Sequence, residues 1–200
     1  RMLTYVPGTP LVDIKPHSPD LLDNLGAFLG RVSQALDGFS HSATQRDLKW
    51  NVDIGPDVVR ACLDHISDPD HRALVEHFLH QYEALVVPAQ SSLRRTVIHN
   101  DANDHNVLID DADPNDPASW KKQVVGLIDF GDMVTSYTVA ELAVSLAYVM
   151  LHKSDPLTAA AHVLEGYHRV FPLTEQEIEL LFHFVCMRLC MSVSISAEQQ

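Results

Sequence analysis

The sequence predicts an α+β fold that is mostly α, a helical bundle with a small β insertion. Three observations carry this. Apolar residues recur at helical spacing through the first half of the chain. Short runs rich in β-branched residues then appear between Val97 and Ile128. Helical spacing resumes near Tyr137 and continues to the end.

Taken in order, Met2-Leu3-Thr4-Tyr5-Val6 is strand-like, and Pro7-Gly8-Thr9-Pro10 reads as a turn or linker. Ser18-Pro19-Asp20 is a strong helix start, with a capping hydroxyl, proline at the first helical position and an acid in the first turn. Leu21, Leu25, Phe28, Val32 and Leu36 follow at helical spacing, and Gly38 ends that helix. Asp57 to His65 predicts a shorter helix. Asp68-Pro69 opens another, with Leu74, Val75, Phe78, Leu79, Tyr82 and Leu85 on one face and His77 and His80 partly exposed. Val97-Ile98, Val107-Leu108-Ile109 and Val124 to Ile128 have the length and composition of strands. Helices are expected from about Tyr137 to Leu151, from Asp155-Pro156, and from Thr174, where Thr174 and Glu177 make a capping box.

Hydrophobic residues make up 46% of the 200, enough for a sizeable core. The formal charge of −13, from 27 acidic and 14 basic residues, argues against nucleic acid or an anionic membrane as the main partner. No signal peptide and no apolar run long enough to span a bilayer are read from the chain. Three cysteines give no disulfide framework, which points to a reduced, cytoplasmic protein. Cys186 and Cys190 lie one helical turn apart with His183 on the same side, but thiols on an apolar helix face are read as core rather than metal ligands. The loop from Asp110 to Gln123 mimics a calcium loop starting at Asp111. It has Pro114 inside, Asp116 in place of the turn glycine and Lys122 in place of the bidentate glutamate, so an exposed acidic hairpin loop is expected.

The chemistry sits in the β insertion. His99-Asn100-Asp101-Ala102-Asn103-Asp104-His105-Asn106 fits H-x-D-x-x-x-x-N, and Ile128-Asp129-Phe130-Gly131 ends in D-F-G. Phosphoryl transfer needs a carboxylate to orient the attacking hydroxyl and accept its proton. It also needs oxygen ligands to hold magnesium against the phosphates. Asp101 is the candidate base, and Asn106 and Asp129 are the candidate magnesium ligands. Each motif alone is short; in this order, each beside a predicted strand, they reinforce one another.

The chain resembles the aminoglycoside phosphotransferase and choline kinase superfamily, relatives of the protein kinases. Within it, Leu3 to Thr9, Asn103 to Asn106, Ile128 to Met133 and Glu141-Leu142-Ala143 resemble hydroxylysine kinases and the phosphotransferase modules fused to class III aminotransferases in some bacteria. The resemblance implies a protein-kinase-like C-terminal lobe whose β insertion carries the catalytic loops. It implies ATP as co-substrate, Mg2+ held by Asn106 and Asp129, Asp101 as base, and His99 and Gly131 supporting the loops. Nucleotide would meet hinge backbone near Tyr5 and Val6. An acid near Glu141 holds the segment after D-F-G in such proteins, while a helix-surface glutamate is the alternative. Asp132 is open between a functional and a structural role; Asp104 and His105, between base and metal ligand, face either substrate, where a free amine would favour nearby carboxylates, or solvent. A fused aminotransferase would bring pyridoxal phosphate to the parent, with no site for it in this stretch.

No glycine-rich loop and no V-A-I-K-like strand occur in these 200 residues, and Gly26 and Gly30 lie inside a helix pattern. Residues 1–15 therefore read as a last N-lobe strand with hinge and linker, and 16–200 as the C-lobe. Arg1 opens directly on a strand-like stretch, and Ser194 to Gln200 stop without a helix-ending signal. Both ends are expected to be cut from a longer protein. The expected activity of that parent is ATP-dependent phosphorylation of a hydroxyl on a small amino alcohol such as 5-hydroxylysine. The rivals are a non-catalytic kinase-like module and a magnesium-dependent hydrolase, and ADP formation that depends on an added hydroxyl acceptor separates the three.

Overall fold

The computed structural model describes residues 4–110 and 122–199. Among the described residues there are six α-helices, four of them opened by a side-chain cap. α1 (Pro19–Leu36) begins at Ser18, whose Oγ accepts from the N–H of Leu21. α2 is Gly55–Cys62. α3 (Pro69–Leu85) is capped by the Asp68 carboxylate, which accepts from the N–H groups of Asp70 and His71. α4 is Thr138–Val149, and α5 (Pro156–Val170) is capped by Asp155. α6 (Glu175–Glu198) carries both arms of the Thr174–Glu177 capping box.

Among the described residues the strands are β1 (Thr9–Pro10), β2 (Arg95–Ile98), β3 (Val107–Ile109), β4 (Val124–Leu127) and β5 (Val134–Tyr137). They form two antiparallel sheets, one ordered β1-β3-β4 and the other pairing β2 with β5. Val107 faces Leu127 in the first sheet, and Ile98 faces Val134 in the second. The loop carrying Asp101 thus leaves β2 and enters β3, and the loop carrying Asp129 leaves β4 and enters β5.

The structure corrects three expectations and adds one strand. Thr4 to Val6 form no strand, while Met2 and Leu3 lie outside the described residues; the strand is at Thr9–Pro10 instead, in what read as a linker. The cause is contact: Gly8, at φ 147°, lies so close to β3 that a Cβ there would meet the Ile109 carbonyl at 2.8 Å. The helix expected from about Tyr137 begins at Thr138, and just before it lies β5, a strand not expected from the sequence, with Val134, Ser136 and Tyr137 buried. On α3 the buried stripe is narrower than its pattern, because Leu74 and Leu85 are exposed and Val75, Leu79 and Tyr82 are buried. Finally, α6 is by length and composition apolar enough to cross a bilayer, yet most of it is buried by the rest of the protein, with Phe184, Met187 and Met191 inside.

The acidic loop lies outside the described residues except for its base, where Gln123 N–H donates to the Asp110 carboxylate and Asp110 N–H to the Gln123 carbonyl. Cys62, Cys186 and Cys190 are free and buried, and among the described residues no cluster of three metal-binding side chains forms. Burial pushes the Cys186 thiol up to about 11 and the Cys190 thiol up to about 12, as expected of core sulfur.

Behind the sheets, α4 is the central helix, buried almost all round and packed on α6, α5 and β2. α1 and α5 cross at a contact only glycine permits. A Cβ on Gly166 would lie 2.0 Å from the Asp23 carbonyl oxygen, and one on Gly26 would lie 1.9 Å from that of Val163. The Arg169–Asp23 pair and the Tyr167 Oη to Ser33 Oγ bond at 2.7 Å flank this crossing. The bundle forms a rigid back wall for the loops on β2–β5.

Candidate active site

The loop after β2 is tied to itself and to the bundle. Asp101 is partly buried; its Oδ2 accepts from Asn106 Nδ2 at 2.7 Å and its Oδ1 from Asn103 Nδ2 at 2.9 Å. Asn106 Nδ2 also donates to the Asp101 carbonyl, so base and metal-ligand candidates are fixed to each other across the loop. Asn103 Oδ1 accepts from the N–H groups of His105 and Asn106, which closes the turn between them.

A third contact comes from α6. Arg188, 2% exposed, places Nη2 3.4 Å from Asp101 Oδ1 and donates from Nη1 to the Trp50 carbonyl at 3.0 Å. Its guanidinium lies 4.6 Å from the centre of the Trp50 ring and 6.0 Å from that of Tyr148. The sequence reading did not single out Arg188. The available signal was an arginine set among apolar residues of one helix, a position arginine occupies when it has a partner.

Glu141, in the first turn of α4, is buried, so it is not a surface glutamate, and its hydrogen bonds go to the loop before Asp101 rather than to the segment after D-F-G. Its Oε2 accepts from the backbone N–H groups of His99 at 2.6 Å and Asn100 at 3.4 Å, where the chain turns into the loop with Asn100 at φ 67°. Burial outweighs these two hydrogen bonds and pushes its carboxyl up to about 7.

His99 joins the two loops. Its Nε2–H donates to the Ile128 carbonyl at 3.0 Å, its Nδ1 accepts from Asp101 N–H at 3.2 Å, and its ring meets the Phe130 ring edge-on at 4.7 Å. That pattern fixes the neutral tautomer, and burial holds its pKa below the usual imidazole value against the pull of Asp101, Asp129 and Asp132. Ile128 N–H donates to the Asn106 carbonyl, which sets Asp129 one residue beyond the end of the first loop.

Asp129 occupies the left-handed region at φ 61°, and its Oδ1 accepts from Gly131 N–H. A Cβ at Gly131 would lie 2.9 Å from that oxygen and would push the Asp129 carboxylate aside, and the Gly131 carbonyl accepts from Arg46. The donor set suits magnesium: Asn106 turns its NH2 to Asp101 and offers its amide oxygen, and Asp129 offers a carboxylate oxygen. Tyr5 and Val6 lie apart from these loops, on the β1-β3-β4 side. Tyr5 is 83% exposed, and Val6 lines a cavity of about 280 Å3 with Asp110 and Val125. Asp104 and His105 line a different cavity beside the catalytic loop.

Residues 1–177 match the phosphotransferase enzyme family. The hydroxylysine kinase of Bos taurus is 33% identical over 98% of this chain and 53% of its own length, and that of Xenopus laevis is 32% identical over 96% and 52%. The chain thus spans about half the length of the curated relatives it matches. Among solved structures, an amicoumacin kinase in complex with AMP-PNP and Ca2+ aligns over 99% of this chain and 56% of its own, with a TM-score of 0.64 at 14% identity. The GDP complex of an aminoglycoside 2'-phosphotransferase aligns over 98% and 63%, with a TM-score of 0.61 at 18% identity. These likenesses show a shared kinase-like fold. With its family's pattern matched from residue 1 to residue 177, this chain belongs to the phosphotransferase enzyme family.

Proposed function

We propose that this chain is the catalytic-loop lobe of an ATP-dependent kinase that phosphorylates a hydroxyl of a small amino alcohol such as 5-hydroxylysine. The observation that carries the reading is the pairing of two loops: Asp101 bonded to Asn106 in one, and Asp129 held beside it by the His99–Ile128 and Ile128–Asn106 bonds.

In this reading Asp101 orients the acceptor hydroxyl and takes its proton as the oxygen attacks the γ-phosphoryl group. Asn103, Asn106 and Arg188 hold the carboxylate in one orientation, so little rearrangement is needed when the acceptor arrives. Asn106 and Asp129 hold Mg2+, which when bound neutralises charge on the phosphate oxygens. Val6 and the neighbouring hinge backbone face the nucleotide base. Residues 1–15 act as hinge and linker and 16–200 as the C-lobe. The glycine-rich loop and its lysine, which position the phosphates in such kinases, belong to a part of the parent outside this stretch. Three unpaired, buried thiols fit a reducing cytoplasmic setting.

The test is ADP release by the full-length protein with and without 5-hydroxylysine or related amino alcohols. Acceptor-dependent ADP is expected. Asp129→Ala should abolish it with the fold intact, while Asp101→Asn should lower kcat by about 100-fold or more with little change in ATP affinity. ADP release indifferent to every acceptor would point to hydrolysis, and wild-type turnover in the Asp129→Ala protein would remove the metal role.

A further inference from the structure

A cavity of about 870 Å3 opens beside the catalytic loop. Asp104 and His105, between Asp101 and Asn106, form one wall; the Val12 to His17 segment forms another, and the turn after α4 through Lys153 forms the third. Tyr148 also lines it, and the Tyr148 ring lies 6.0 Å from the Arg188 guanidinium that contacts Asp101. Tyr148 thus links the cavity wall, through Arg188, to the candidate base.

Its charge runs against the rest of the molecule. The chain as a whole carries −13, yet this lining gathers Lys15, Lys153 and three histidines against the single carboxylate of Asp104. Among the described residues neither lysine has a carboxylate within ion-pair distance. Lys153 Nζ instead lies 2.9 Å from His17 Nδ1, and His17 Nε2 lies 3.2 Å from the Leu11 carbonyl. His17 thus donates to Leu11 and accepts from the Lys153 ammonium, which fixes the head of that long side chain. Burial and then the charge of Lys15 lower the pKa of Lys153, so the two cations share the space at a cost that an anion would relieve.

Resting on the phosphotransfer reading above, we propose that this cavity is the acceptor site and that Lys153 and Lys15 bind a carboxylate of the acceptor there, with Asp104 facing its ammonium group. An acceptor is then selected by its carboxylate as well as by its amine and hydroxyl. An extended side chain between the carboxylate and the hydroxyl lets one end rest on the lysines while the other reaches Asp101. Charge complementarity at such a site sets which acceptor is used, while Asp101 and the metal ligands set the rate.

The experiment compares 5-hydroxylysine with its carboxamide, using the full-length protein and its Lys153→Met and Lys15→Met variants. KM for 5-hydroxylysine should rise about tenfold or more in Lys153→Met, with kcat and KM for ATP within about threefold of wild type. The carboxamide should be a poor acceptor for wild type and no poorer for the variant. Equal use of acid and carboxamide, or a rise in KM for ATP instead, overturns the carboxylate site while the kinase reading stands. A parallel calorimetric titration of both compounds needs no turnover. Absence of ADP release with every acceptor defeats the kinase reading. Carboxylate-dependent binding lost in Lys153→Met would even then uphold the anion site, and binding indifferent to both changes would overturn it.

Discussion

Asp101 accepts from the side chains of Asn103, Asn106 and Arg188, and the last is the only cation among these three. Arg188 also donates to the Trp50 carbonyl and lies over the Trp50 ring, so it couples the orientation of the candidate base Asp101 to Trp50. Replacing it with methionine keeps the length and apolar stem but removes both hydrogen bonds. We expect kcat for the acceptor-dependent reaction to fall about tenfold or more while KM for ATP stays near wild type, with Arg188→Lys intermediate. Equal loss in the lysine and methionine variants, tracking a drop in thermal midpoint, would assign Arg188 to folding alone. The motif residues were legible from spacing because the chemistry demands their types in order. Arg188 was not, because nothing local links it to a loop 87 positions away.

At the scale of elements, the start of α4 supports the catalytic loop through one buried carboxylate. Glu141 has its folded pKa raised from 4.5 to about 7, chiefly by burial. The folded state therefore holds its proton more tightly than the unfolded chain does. The associated stability is fully present below about pH 4.5 and is lost as pH rises through 7, amounting to roughly 3 kcal/mol. Glu141→Gln keeps an acceptor for the His99 N–H and removes the titration. Denaturant unfolding should then show wild-type stability falling between about pH 4.5 and 7 more steeply than that of the variant. Parallel pH profiles would show that Glu141 does not titrate in that window. The α1–α5 crossing makes a second prediction. Gly166→Ala forces a methyl against the Asp23 backbone and should destabilise by about 2 kcal/mol or more, read as a lower urea midpoint with an unchanged slope. Helix starts were legible because capping is local chemistry, as at Ser18, Asp68, Asp155 and Thr174. β1 and β5 were not, since both exist only through pairing with strands far along the chain.

At the scale of the molecule, one contiguous core runs from Leu11 and Ile14 through α1, α3, α4, α5 and α6 to Ile195. Its largest buried side chains, Tyr167 and Phe184 among them, come from different helices, so the bundle is cooperative in itself. Tyr5, Val125, Ile128 and Phe130 are exposed, and the 200 residues contain no glycine-rich loop and lysine strand. We therefore expect the chain purified alone to fold and unfold in one transition but not to act as a kinase, because ATP would be held by hinge backbone and Mg2+ without an opposing surface. Titrating ATP with magnesium into the isolated chain should give binding too weak for calorimetry in the micromolar range, and 5-hydroxylysine should evoke no ADP release. Micromolar binding with acceptor-dependent turnover would mean that these two loops, with Arg188 behind them, position the phosphates unaided. The far side of the cleft would then have to act on something other than the nucleotide.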